Sequence, residues 1–198
     1  MKLFLASQSP TRKAMLIAAG VPFEAVRPDV DEDSAKIAFR ARGLSARDLA
    51  DALAELKALK ISRRHPKDLV LGSDQTLSFD DGIMLDKAET LAALAAQLAQ
   101  LSGRTHMLTS AAVIAHGGQA IWRHIEQCQM TVRPLSPAFI DDYVASHGEA
   151  LLGCVGGYQI EARGIQLFSA IKGSYHAILG LPLIPLLDYL RTRGVMTS

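Results

Sequence analysis

Charge of one sign is what this sequence lacks most clearly: 21 Lys and Arg stand against 20 Asp and Glu, a formal net charge of +1. Such balance does not point to general nucleic-acid binding, which usually needs a strongly basic surface, so an anionic ligand must be met by charge gathered locally in a site. Cysteine is scarce. Cys128 and Cys154 are the two present; they have no metal-ligand spacing and make no disulfide framework, and read as buried thiols. Aromatic residues are only 6% of the chain although 49% is hydrophobic. That aliphatic bias suits a globular core and excludes a disordered chain. No apolar run approaches the roughly 20 residues of a membrane span, and the apolar part of MKLFLASQSP is too short for a secretory leader. A cytoplasmic location with no membrane partner is the expectation. Walker A, Rossmann, HExxH and GxSxG patterns are all missing. His65, His106, His116, His124, His147 and His176 show no ligand spacing and read as surface or satisfied core histidines.

With 198 residues the chain can bury a substantial core as one domain or two closely joined lobes. Lys2 to Ala6 reads as a short buried strand, followed by Ser9 as N-cap and Pro10 at the first helical position. That helix should run to Ala19 and stop at Gly20. Val21 to Val30 reads as extended and ends in the acids Asp29, Asp31, Glu32 and Asp33. A long helix is expected after Ser45, where Leu49, Ala52, Leu53, Leu56 and Leu59 recur at helical spacing. Asp68 to Ser78 reads as a strand, Asp81-Gly82 as a hairpin turn, and Glu89 to Leu101 as a helix ended by Gly103. Strands near His106–Ala115 and Ala120–Val132 should form a hairpin through Gly117-Gly118. Ser136-Pro137 caps a helix expected to reach Ala145, with Gly148 just beyond it. Gly156 to Ser174 is glycine-rich with apolar alternation, and Pro182 opens a last helix that ends at Gly194. Alternating strands and helices argue for an α/β layer fold, and the hairpins make its sheet mixed.

Three groups of residues could carry chemistry. Ser7-Gln8-Ser9-Pro10-Thr11-Arg12-Lys13 joins a strand to a helix N-terminus, where free amides and the helix dipole favour an anion and Arg12 can fork onto phosphate. The same residues also make an ordinary helix start with solvated cations. Asp74, in Gly72-Ser73-Asp74-Gln75-Thr76, lies inside an otherwise apolar strand. It is either paired or metal-bound there, or it caps a bulge. Lys57 lies four residues after Leu53, near the edge of the apolar stripe, from which it could reach a cleft. Lys87 follows the hairpin, and Glu32 belongs to the acidic cluster. A solvated face is the simpler account of Asp29, Asp31 and Asp33.

Taken in order, LASQSPTRKAMLIAAGVPFE, VDED, LADALAELKA, LVLGSDQT, LDKAET, LSGRTHMLTSA, GGYQIEARG and GSYHAILGLPL resemble the Maf family of nucleotide pyrophosphatases, the septum-formation-like proteins. The likeness covers nearly the whole chain, and the ordered set is far more specific than any member of it. It implies a single Maf-like domain over residues 1–198, with a mixed twisted sheet flanked by helices and two lobes around a nucleotide-binding cleft, as in the ITPase-like folds. It implies hydrolysis of the α–β phosphate bond of a nucleoside triphosphate, a divalent Mg²⁺ or Mn²⁺ cofactor, and a homodimer. By matching position, Asp74 is the catalytic base, Lys57 and Lys87 are the site lysines, and Glu32 is a site carboxylate. Glu32 and Asp74 would hold the metal. Ser7, Ser9 and Arg12 would form the phosphate-binding loop, and Lys13, Gln75 and Glu161 would be further substrate-binding residues, Gln75 and Glu161 bearing on the base.

The chain departs from the common family form at several points. Thr11 stands where an arginine is usual, Asp86 and Ala88 flank Lys87, and Gly153-Cys154-Val155-Gly156 replaces an Asp-Lys-Ala-Gly stretch. Gln75 after Asp74, Glu161 before Gly164, and Leu167-Phe168 look nearer the 7-methyl-GTP branch than the dTTP/UTP branch. Two rivals stand beside the pyrophosphatase. Another nucleotide or sugar-phosphate phosphohydrolase would release orthophosphate. A non-catalytic nucleotide-binding regulator of cell division would not need Glu32, Lys57, Asp74 and Lys87 together.

Overall fold

The computed structural model describes residues 1–197; Ser198, the last position of the expected domain span, lies outside the described residues. Seven strands form one sheet: β1 (Leu3–Ala6), β2 (Glu24–Val26), β3 (Leu69–Ser78), β4 (Met84–Leu85), β5 (Thr105–His116), β6 (Gln119–Val132) and β7 (Phe168–Lys172). Their order is β2-β1-β3-β5-β6-β7, with β4 on β3. β1 pairs parallel with β2 and with β3, whereas β3–β4 and β6–β7 are antiparallel. The sheet is therefore mixed, as the alternation of elements predicts. The helices are α1 (Pro10–Ala18), α2 (Glu32–Ala41), α3 (Ala46–Ser62), α4 (Leu91–Leu101), α5 (Pro137–Leu151), α6 (Tyr175–Ile178) and α7 (Leu183–Thr192).

Two compact units divide the chain. The first gathers Met1–Gln75, Thr109–Glu126 and the stretch from Ser174 onward. Strands β1, β3 and β5 alternate between two apolar faces. Leu3, Leu5, Leu69, Leu71, Ala112 and Ile114 pack on Met15 and Leu16 of α1 and on Leu183, Leu186 and Leu190 of α7. The residues between them turn the other way: Phe4, Ala6 and Val70 meet Ile61, while Ala111, Val113 and Ala115 meet Ala50, Ala54 and Ala58, all on α3. Burial on both faces is why these strands read as unbroken apolar runs. Each buried Leu or Ile contributes about 1.5–3 kcal/mol, against roughly 0–1 kcal/mol for an exposed ion pair. The aliphatic layers, not the surface charges, therefore set where α3 lies.

The second unit gathers Thr76–Leu108 and Gln127–Gly173. Here α4 packs on α5, and β7 pairs with the end of β6 through a bulge at Thr131/Val132. A short 3-10 turn, Arg163–Leu167, leads into β7. Cys128 is buried, but Cys154 is only half-buried, so one of the two thiols is less enclosed than expected.

The helices depart from the sequence reading at four places: α4 starts at Leu91 rather than Glu89, the short α6 is unexpected, and α2 and α5 differ most. α2 replaces what reads as a plain acidic stretch. Asp31 is its N-cap, accepting from Ser34 N at 3.0 Å, and Glu32 and Asp33 occupy the first turn. α2 buries no residue fully, so no apolar period announces it, although the capping acid and Gly43 beyond its end are genuine signals. α5 runs to Leu151, past Ala145 and through Gly148. That glycine is a packing position rather than a terminator: a Cβ there would come 2.6 Å from Leu91 Cδ2 of α4.

Candidate active site

Strand β3 carries its apolar alternation into a polar end. Continuing the period of two puts Gly72 and Asp74 on the α3 face and Ser73 and Gln75 on the opposite one. A Cβ at Gly72 would strike the Ala54 carbonyl and come 2.8 Å from Ala58 N. The bare backbone is thus what lets α3 lie so close to β3. Lys57, just before Ala58, reaches Asp74 Oδ1 at 2.6 Å and Glu32 Oε2 at 2.9 Å.

Lys57 is 4% exposed and Asp74 6%, whereas the Glu32 side chain is 40% exposed. The lysine does not sit at the edge of its stripe. It lies in the buried row Leu49, Leu53, Lys57, Ile61, and Leu56 and Leu59 form the partly buried margin. A cation among leucines is tolerable only when paired, and the two carboxylates supply the pairing. Glu32 reaches it from the first turn of α2, an element that sequence periodicity does not reveal.

The β1–α1 loop is built by its own hydroxyls. Ser7 Oγ accepts from Ser9 N at 3.2 Å, and Ser9 Oγ caps α1 by accepting from Arg12 N at 3.3 Å. Lys13 N bonds Ser9 O, and Pro10 has no N–H, which leaves the Thr11 amide without a partner among the described residues. The Arg12 guanidinium is turned inward. Nε donates to Gly180 O at 2.8 Å, and Nη1 donates to Ser73 O at 3.0 Å and Ser7 Oγ at 3.5 Å. Both Nη2 hydrogens have no partner among the described residues. Burial lowers the Arg12 pKa, partly offset by the charges of Asp74 and Glu32. Lys13 is half-buried and makes no ion pair among the described residues.

Gln75 faces away from Asp74. Its Nε2 donates to Ser110 Oγ at 3.0 Å and to the carbonyls of Ala177 and Ile178 at 3.1 and 2.9 Å. Ser110 Oγ also donates to Ala177 O at 2.7 Å, and Ser73 Oγ to Gly180 O at 2.9 Å. These groups tie the turn that carries α6 to β3. Neither Ser73 nor Ser110 stands out in the sequence, where both look like ordinary strand serines.

Lys87 and Glu161 lie in the second unit. The backbone of Lys87 bridges antiparallel to Val155, and Gln97 Nε2 holds the preceding carbonyl, Asp86 O, at 2.9 Å. Burial raises the Cys154 thiol above its usual pKa. A bond from Gln159 and the charge of Lys87 pull it down, while Glu161 pushes it up. The charges of Lys87 and Glu161 thus both act on one thiol.

The structure therefore brings Glu32, Lys57 and Asp74 into direct contact and groups Ser7 and Ser9 around Arg12. Gln75 occupies the other face of β3, and Lys87 and Glu161 belong to the second unit. Two carboxylates held by one ammonium are the donor set that Mg²⁺ or Mn²⁺ takes from a protein when phosphates complete its oxygen sphere, so Glu32 and Asp74 fit the expected cation.

Residues 2–193 match the family described as Maf-like protein. The chain is 51% identical to a nucleoside triphosphate pyrophosphatase of Caulobacter vibrioides, an alignment spanning 98% of this chain and 96% of that protein. It is 47% identical to a nucleoside triphosphate pyrophosphatase of Rhodospirillum rubrum over 99% of this chain and 96% of the other. It is 50% identical to a 7-methyl-GTP pyrophosphatase of Mesorhizobium japonicum over 98% of each.

Proposed function

Since this chain belongs to the Maf-like protein family, we infer that it is a nucleoside triphosphate pyrophosphatase, a hydrolase that releases a nucleoside monophosphate and pyrophosphate. The observation that carries the assignment to particular residues is the Glu32–Lys57–Asp74 contact at the polar end of β3.

A triphosphate brings about four negative charges, and phosphoryl transfer is mainly a problem of positioning and charge neutralisation. The β1–α1 loop supplies the free Thr11 amide, the α1 dipole and the Nη2 group of Arg12, whose guanidinium is already fixed by two backbone carbonyls. Lys57 adds a cation that its two carboxylates hold in place. Asp74 accepts the proton of the attacking water as the bond from water oxygen to phosphorus forms and the anhydride bond to the pyrophosphate leaving group breaks. Glu32 and Asp74 would hold Mg²⁺ or Mn²⁺, which supplies Lewis-acid polarisation of the phosphoryl oxygens. Lys87 is assigned to the phosphate chain and Glu161 to the nucleotide, on the family likeness and on their shared neighbourhood at Cys154. Lys13 offers a further cation beside the loop. Gln75 bears on the substrate indirectly, by holding the turn Ser174 to Gly180.

Relatives at nearly equal identity carry the general name and the 7-methyl-GTP name. Gln75, Glu161 and Leu167-Phe168 favour the second. A homodimer and a cytoplasmic location are proposed on the family likeness and on where nucleoside triphosphates are held. No helix among the described residues is long and apolar enough to cross a membrane.

The test is product analysis of the purified protein against a panel including 7-methyl-GTP, dTTP and UTP. Pyrophosphate with the monophosphate is expected, fastest from 7-methyl-GTP. Orthophosphate as the product would replace this reading with another phosphohydrolase, and tight nucleotide binding without turnover would replace it with a regulator.

A further inference from the structure

The loop Val155 to Glu161 in the second unit touches both charges assigned there to the nucleotide. Val155 bridges Lys87 at its start, and Glu161 stands at its end. It contains two successive left-handed glycines, Gly156 at φ +80° and Gly157 at φ +69°, a conformation that glycine adopts without steric cost. Tyr143 Oη donates to Gly157 O at 3.4 Å, and the loop's own buried tyrosine is its second tie to the second unit. Tyr158, 6% exposed, lays its ring edge-on to Phe168, with centroids 4.8 Å apart, and its phenol oxygen lies 2.6 Å from His106 Nε2.

His106, on β5, is 1% exposed and is flanked by the rings of Phe79 and Phe168. Its Nδ1 meets no partner among the described residues, so Tyr158 alone holds the polar side of the ring. Burial pushes the imidazole down to about 4 and the phenol well above its usual value. Both are neutral near pH 7; the phenol has no other acceptor among the described residues, so it donates to Nε2, which puts the imidazole hydrogen on Nδ1. The loop backbone rides directly on this ring: a Cβ at Gly156 would come 2.7 Å from Tyr158 Cε1 and 2.7 Å from Leu77 Cδ1. A shift of the phenol therefore moves Gly156, the neighbour of the residue that pairs with Lys87.

We propose that His106 is a positioning residue: by accepting the Tyr158 hydroxyl at Nε2 it pins the Val155–Glu161 loop to β5 and so sets where Lys87 and Glu161 stand. This rests on the assignment of those two residues to the nucleotide. A buried hydrogen bond of this kind is costly to leave half-made, and the steps that move protons and phosphate do not use it.

Four variants test it: His106→Asn, His106→Gln, Tyr158→Phe and Lys87→Ala, assayed by pyrophosphate release from the best substrate of the panel, each with its melting temperature. A glutamine amide reaches the position of Nε2, whereas an asparagine amide reaches only that of Nδ1. His106→Asn and Tyr158→Phe should raise KM roughly tenfold, the scale of one buried hydrogen bond, with kcat changed far less. His106→Gln should restore KM to near the native value. Native KM in His106→Asn and Tyr158→Phe, even with lowered melting temperatures, overturns the positioning role while a raised KM in Lys87→Ala keeps the functional assignment. Native KM in Lys87→Ala overturns that assignment and the positioning role with it. If His106→Asn does not fold, the comparison of Tyr158→Phe with His106→Gln decides on the same criterion.

Discussion

Lys57 Nζ lies 2.6 Å from Asp74 Oδ1, and the distance is set by a residue that takes no part in the bond. Gly72 precedes Asp74 by one strand period and, having no Cβ, lets the backbone of α3 at Ala54 and Ala58 come against β3. A helix seated any further out would draw the lysine away from the buried aspartate and leave Asp74 without its ammonium partner.

Replacing Asp74 with Asn keeps the volume and removes the proton acceptor. Turnover should fall by roughly 10²–10⁴, the usual worth of a general base, while nucleotide binding persists. Steady-state pyrophosphate release together with a direct binding measurement checks both halves. Near-native turnover removes Asp74 from the role.

Lys57→Ala looks harmless to stability when the lysine is read at the edge of its helix stripe. The structure reverses that expectation. Removing the ammonium leaves Asp74 buried and unpaired, and a broken buried pair costs about 3–5 kcal/mol. Urea denaturation should show that loss in Lys57→Met, and most of it should be recovered in the Lys57→Met, Asp74→Asn double variant. Equal destabilisation of single and double variants would contradict the pairing.

Gly72→Ala puts a methyl group into helix backbone rather than into a pliable side chain. Overpacking of this kind costs roughly 1–3 kcal/mol. The accompanying shift of α3 should lower kcat, because Lys57 moves with it. Stability and kinetics are read on the same protein; a silent substitution would mean that α3 does not press on β3 here.

His106 contributes a pH dependence of defined sign. Its folded pKa, about 4, lies below the ordinary 6.5, so the unfolded chain binds the extra proton first as pH falls. The stabilisation is complete above about pH 6.5 and is lost as pH drops toward 4, with a ceiling on the order of 3 kcal/mol. Thermal or urea unfolding of the wild type and of His106→Gln between pH 7 and 4 isolates this share, since the carboxylates titrate in both proteins. Parallel curves would show that the imidazole is not titrating in this way.

Removal of divalent cations by a chelator should abolish turnover, and Mg²⁺ or Mn²⁺ should restore it. Glu32→Gln should then need a higher cation concentration for half-maximal rate, because one of the two proposed carboxylate donors is gone. An unchanged requirement would leave Glu32 as a partner of Lys57 only.

Much of this protein was settled by local sequence. The strands β1, β3 and β5, the Ser9 cap with Pro10, the Gly117-Gly118 hairpin and the long α3 all follow from side-chain period, capping chemistry and left-handed glycines, which act over a few residues. So does the suspicion attached to an aspartate inside an apolar strand. What local pattern could not decide was pairing at long range. That Lys57 is buried rather than marginal, that Glu32 reaches it from an unannounced helix, and that Arg12 spends Nε and Nη1 largely on the carbonyls of Ser73 and Gly180 all depend on which surfaces the aliphatic layers bring together. The same is true of Asp74 and Gln75. They are neighbours in the chain, yet the two-residue pleat sends them to opposite faces of the sheet, and only packing against α3 on one side and the α6 turn on the other gives those faces their separate tasks.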